Sequence, residues 1–186
     1  AGVGALPTDA TITARWSSGP GWQSLGLMSA APNIDVTGSG ATFGSIHDPR
    51  DISSTGRFIV GQGYIAPNDS FLFRGWVWDA LANSGAGEMV VLPTAFDTEA
   101  GRFKDGRALA VSADGSVIVG GESPNTGAGR AIVWRKNVGT GQYDATYLPT
   151  GLDGNGDPIL SSVDSFHIND AGTIIVGMSF SYNATL

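Results

Sequence analysis

An all-β fold assembled from repeated units of four short antiparallel strands is what this sequence predicts, and three observations predict it. A segment closing on glycine occurs three times: Asp51 to Gly61, Ala110 to Gly120 and His167 to Gly177. The closing glycines are 59 and 57 residues apart, and Val3-Gly4 falls 57 residues before Gly61. Second landmarks recur in phase, as Arg74-Gly75-Trp76-Val77-Trp78, Arg130-Ala131-Ile132-Val133-Trp134 and a degraded Ala14-Arg15-Trp16. Third landmarks follow in order as Leu25-Gly26, Leu92-Pro93 and Leu148-Pro149, which is the signature of a repeat architecture.

The copy after Ala108 shows why each element forms. Ala108 to Ser112 alternates small with large side chains and predicts a first strand. Asp114-Gly115 predicts a tight turn with both central residues at positive φ. Val117 to Gly120 is β-branched and apolar on both faces, as a strand covered on both sides must be. Its glycine predicts a close approach of one backbone to another. Ala131 to Trp134 and Ala145 to Leu148 supply a third and a fourth strand. No stretch keeps a 3.6-residue apolar period, and 28 glycines with 9 prolines interrupt every candidate helix.

Four strands per repeat in radial array describe a β-propeller blade. Trp16, Trp78 and Trp134, at the end of the third strand, are then expected to fill the space between blades, because a large ring buries much area at little entropic cost. A solenoid is the competing form, but its coils run about 20 to 30 residues, about half this period. The expected organisation is one repeat domain over 1–186, with a partial repeat 1–46, repeats 47–104 and 105–162, and a partial repeat 163–186. About three repeats are few for a ring that closes with four to eight blades. The expectation is a piece of a larger propeller, or copies that assemble to complete one.

Copies of the form Ser112-Ala113-Asp114-Gly115-Ser116-Val117-Ile118-Val119-Gly120 followed by Arg130 to Trp134 resemble the bacterial HAF-type extracellular repeats. The resemblance spans Val3 to Gly177. It implies an exported, extracellular or periplasmic bacterial protein with propeller-type blades, and it carries no catalytic residues. The first copy departs from the pattern, lacking the arginine four residues before Trp16, and residues 29–46 form a long insertion.

Composition excludes several function classes. A formal charge of −7 argues against nucleic acid or anionic membranes as partners. The longest apolar runs are far short of a membrane-spanning helix. Cysteine is absent, which removes disulfides, thiol catalysis and thiolate metal sites.

One segment has metal-ligand spacing. In Asp153 to Asp164 oxygen donors fall at Asp153, Asn155, Asp157, Ser161 and Asp164, with the Ile159 carbonyl at the seventh position, a spacing that wraps hard oxygens around calcium. It resembles the calcium loops of dockerins, but Pro158 stands where that pattern has glycine, and a turn-rich connector between blades has the same composition. No other cofactor is suggested.

Catalytic constellations are thin. His47 and His167 occupy different phases of the repeat, and Asp97, Glu99, Asp105 and Glu122 are expected to be mostly solvated. The sequons at Asn68 and Asn183 carry no weight in a bacterial protein. Aromatic residues near loops point to binding instead: Trp22, after Gly19-Pro20-Gly21, is the first candidate and Tyr64 the second. The expected function is a non-catalytic binding or assembly scaffold with a protein or glycan partner, or further blades of the same protein. The alternatives are a carbohydrate-active hydrolase or lyase with acidic residues at a central channel, and a structural subunit built into an envelope complex through its edge strands.

Overall fold

The computed structural model describes residues 13–19, 21–25, 42–66, 72–94, 96–97, 102–103, 105–123, 130–148 and 161–181. Fourteen strands run in chain order: β1 Ala14–Ser17, β2 Gly21–Ser24, β3 Thr42–Ile52, β4 Phe58–Ala66, β5 Leu72–Asp79, β6 Glu88–Val91, β7 Phe96–Asp97, β8 Arg102–Phe103, β9 Asp105–Val111, β10 Val117–Ser123, β11 Arg130–Lys136, β12 Tyr143–Tyr147, β13 Ser161–Ile168 and β14 Ile175–Ser181. Among the described residues the one helical element is a 3-10 turn at Asn83–Gly85. The chain is all-β, as the repeat pattern predicts.

Two four-stranded antiparallel sheets, β3-β4-β5-β6 and β9-β10-β11-β12, are whole copies of the repeat. Their registers coincide. Ile59 faces Trp78 as Ile118 faces Trp134, and Gly61 faces Trp76 as Gly120 faces Ile132. The hairpin β13-β14 repeats the first two strands, with Ile168 opposite Ile175 as Ile52 is opposite Ile59. The hairpin β1-β2 repeats the last two. Leu25 donates its N–H to Thr13, as Leu92 does to Gly75 and Leu148 to Ala131. Among the described residues these sheets do not join into a barrel, and β7-β8 is a small separate hairpin.

Stacking of the sheets face to face makes the core. Phe58, Val60 and Val77 of one sheet meet Ala108, Val111, Ile118 and Trp134 of the next. Val117, Val119 and Val133 on the far side of that second sheet meet Phe166, with Ile168 and Ile175 beside it. Leu25 at the end of β2 joins Ile59, Trp76, Trp78 and Met89. Central strands apolar on both faces are what such a stack requires.

The turns differ from the expected two-residue form. Gly115 has φ 71°, but Asp114 is not among the residues at positive φ. The loop instead holds four residues, closed by Gly115 N–H to the Ser112 carbonyl and by Ser112 N–H to the Val117 carbonyl. The Ser112 hydroxyl accepts the Val117 N–H at 3.0 Å, which satisfies a donor the longer loop leaves without a strand partner. Ser53 does the same for Phe58, and Asn169 for Ile174 with its side-chain oxygen.

Nor do the repeat glycines end their strands. Gly61 and Gly120 lie inside β4 and β10, next to irregularities in the pairing. A Cβ on Gly120 would collide with the Arg107 carbonyl oxygen, and one on Gly61 with that of Asp48. The close backbone approach expected of these glycines is therefore present, but at bulges within the sheet.

Candidate binding surface

The hairpin β1-β2 turns two chemically different faces outward and inward. Alternation of side chains places Arg15 and Gln23 on one side and Trp16 and Trp22 on the other, directly opposite each other across the hairpin. On the inner side Arg15 Nε donates to Gln23 Oε1 at 2.9 Å, and the guanidinium lies 4.7 Å from the centre of the Trp78 ring. On the outer side Trp16 is 61 % and Trp22 74 % exposed.

Trp16 therefore departs from expectation. Its counterparts Trp78 and Trp134 are 3 % and 0 % exposed because each packs against the preceding sheet. No described sheet precedes β1-β2, so the same position faces solvent. At the other end of the stack Ile174 and Val176 are 60 % and 61 % exposed, although their counterparts Phe58, Val60, Val117 and Val119 are buried against a following sheet. Both ends of the stack thus carry uncovered apolar groups.

The remaining candidates are dispersed. Tyr64 lies on β4 opposite Phe73. Ser161 and Asp164 lie on β13, Asp164 at the irregularity between Val163 and Ser165. Asp153, Asn155, Asp157 and Ile159 lie outside the described residues. His47 sits on β3 opposite Gly63, and His167 is exposed on β13 opposite Val176, so the two belong to different sheets.

Carboxylates along the stack are engaged in structural bonds. Asp48 pairs with Arg50 at 2.6 Å and accepts from Gln62 Nε2, and Asp51 accepts the Val111 N–H of the next sheet at 3.0 Å. Asp79 accepts two hydrogen bonds from Arg57 at 2.7 and 2.8 Å, and that bonding holds its carboxyl below the usual range. The Ser116 N–H at 2.9 Å does the same for Asp114.

Glu122 corrects the expectation of a solvated carboxylate. It is buried, and the Tyr147 hydroxyl donates to Glu122 Oε1 at 2.8 Å. Burial, with that bond second, raises the Tyr147 hydroxyl well above its ordinary value, and Arg130 lies 5.4 Å from the Tyr147 ring centre. Among the described residues no three His, Asp or Glu side chains gather as a metal site. No family model, curated protein or solved structure matches this chain.

Sequence reasoning found Trp22 but missed its partner. Trp16 and Trp22 lie three residues to either side of Gly19, which is the available signal for a cross-strand pair. Ile174 and Val176 carry no such signal, because the same residue types are core in the other repeats.

Proposed function

We propose that this chain is a non-catalytic binding and assembly scaffold, built from propeller-type blades and working outside the cytoplasm. The observation that supports it is a division of labour on the surface. The carboxylates Asp48, Asp51, Asp79, Asp114 and Glu122 are held in structural hydrogen bonds, whereas pairs of large apolar groups lie uncovered side by side, Trp16 with Trp22 on one hairpin and Ile174 with Val176 on another, apart from the singly exposed Ile52, Leu81, Val90 and Val138. Chemistry on glycosides needs a pair of carboxyl groups on opposite sides of a substrate. Adhesion needs rings and aliphatic groups that are glad of cover, and such uncovered groups mark interaction sites. The propeller-type reading draws on the face-to-face stack of sheets in matched register, and the exported location on the HAF-type repeat pattern.

Reducing-sugar and unsaturated-product assays over a panel of polysaccharides test the reading. No turnover is expected. Turnover that scales with protein and disappears in Glu122→Gln would establish the hydrolase or lyase alternative instead.

A further inference from the structure

The outer face of the β1-β2 hairpin carries a pair of rings that the repeat does not account for. Trp16 takes the place of Trp78 and Trp134, but those stand opposite Met89 and Ala145, whereas Trp16 stands opposite Trp22. In both whole sheets one ring at that position is enough to pack a sheet on its neighbour. The second ring is particular to this hairpin, and most of it faces solvent.

Local structure holds the two rings side by side. The Thr13 carbonyl accepts the Leu25 N–H, which makes Thr13 and Leu25 a hydrogen-bonded pair of the antiparallel ladder. By alternation Trp16 and Trp22, three positions on, form a non-hydrogen-bonded pair, the class in which facing Cα atoms are only about 4.5 Å apart. Beneath them Arg15 and Gln23 are bonded to each other, the Arg15 guanidinium lies over the Trp78 ring, and Leu25 is buried. The rings therefore sit on a braced hairpin, and binding to them costs little ordering of the protein.

Area and charge select the ligand. At their exposures the two side chains offer roughly 200–340 Å² of surface, taking about 150–250 Å² for a whole aromatic side chain. A stable protein interface takes about 800 Å² from each partner, far more than this pair supplies. Ala14 and Ser24, the other described residues on that face, are small and uncharged, and the chain as a whole is acidic, so an anion finds no counter-charge there. A small, neutral ligand with a flat apolar face fits. Pyranose rings with equatorial hydroxyls have such a face in their C–H groups, and hydroxyls at the ring edge to accept from the indole N–H donors. Equatorial linkages keep successive rings in one plane, as two rings side by side on one sheet face require.

We propose that the Trp16–Trp22 pair is a stacking platform for a neutral, β-linked glycan. The inference rests on the scaffold reading and names the chemistry of its ligand.

The full chain is titrated with cellohexaose, xylohexaose and N-acetylchitohexaose by calorimetry and tryptophan fluorescence, with an oligogalacturonate as the acidic comparison. Saturable binding of at least one neutral hexasaccharide is expected, with its monosaccharide at least about tenfold weaker because it covers one ring only. Trp16→Ala and Trp22→Ala, each folded by circular dichroism, are expected to weaken binding at least about tenfold, and Trp22→Phe, which keeps a ring, by less than about threefold. Val138→Ala, at a fully exposed apolar residue between β11 and β12, is expected to change nothing. No binding of any of the three at millimolar ligand, binding that survives Trp22→Ala, or preference for the oligogalacturonate would overturn the proposal. So would acrylamide quenching of the free protein that Trp22→Phe leaves unchanged, since that ring would then be covered by polypeptide. Absence of both binding and turnover would leave the non-catalytic scaffold standing with a protein as its partner, whereas turnover of a bound glycan would overturn the non-catalytic reading alone.

Discussion

Replacing Ser112 by alanine isolates the one hydrogen bond on which the repeat turn depends. The Ser112 hydroxyl is inaccessible to solvent, accepts the Val117 N–H at 3.0 Å and donates to Asp114 Oδ1 at 2.8 Å. Without it the Val117 N–H is buried with no acceptor, which costs about 1–3 kcal/mol. Asp114 loses less, because it keeps the Ser116 N–H. The expected loss is therefore about 2 kcal/mol, or a fall in Tm of roughly 4–8 °C for a chain of this size. Urea unfolding followed by tryptophan fluorescence measures it. The repeat supplies internal comparisons. Ser53→Ala removes the same bond to Phe58 at a buried site and is expected to cost a similar amount. Asn169→Ala removes bonds to Thr173 and Ile174 at an exposed turn, where water substitutes, and is expected to cost under about 1 kcal/mol. A Ser112→Ala loss no larger than that of Thr140→Ala, at an exposed loop, would refute the reasoning.

Three further outcomes are expected. Gly115→Ala and Gly141→Ala both force alanine to a φ near +71°, but only the Gly115 Cβ meets a neighbour, the Phe58 ring at 2.6 Å; Gly141→Ala should cost about 1 kcal/mol and Gly115→Ala at least about 2 kcal/mol more, and equal losses would remove the packing argument. Trp134→Phe deletes the Nε1–H bond to the Pro93 carbonyl at 2.7 Å and should lower stability by about 2 kcal/mol in chemical denaturation, whereas Trp22→Phe in dilute protein should stay within about 0.5 kcal/mol. Asp79 and Asp114 have folded pKa values below the ordinary 3.8, so their stabilisation is complete above that value and is lost as pH falls through the lower folded values; the urea midpoint should drop progressively below about pH 4, and Asp79→Asn should remove part of that slope. For Asp79 the contribution is modest, about 1 kcal/mol or less, since the Arg57 side chain is 41 % exposed and solvent screens the pair.

How much was legible depends on whether a residue's role is set by its own repeat or by its neighbours. Gly120 and Gly61 announced close backbone approach, because no other residue leaves room for a carbonyl, although their place within the strand was not legible. Asp114-Gly115 suggested a two-residue turn, although Ser53, Ser112 and Asn169 recur in phase three residues before Gly56, Gly115 and Gly172, which is the sign of a longer loop closed by a side-chain oxygen. Glu122 read as solvated because burial is decided by strands distant in sequence, here β12 with Tyr147. Trp16, Trp78 and Trp134 are equivalent in the repeat and opposite in exposure, which no local pattern distinguishes.

By itself the sequence determined the all-β class, the period, the four-strand unit and the phase of its landmark residues, since apolar alternation and glycine placement act over a few residues. Tertiary structure alone decided which faces of those units are covered and which carboxylates are bound up inside. The physical reason is that cover is supplied by the neighbouring sheet, and a residue's own repeat holds no information about whether that neighbour is present.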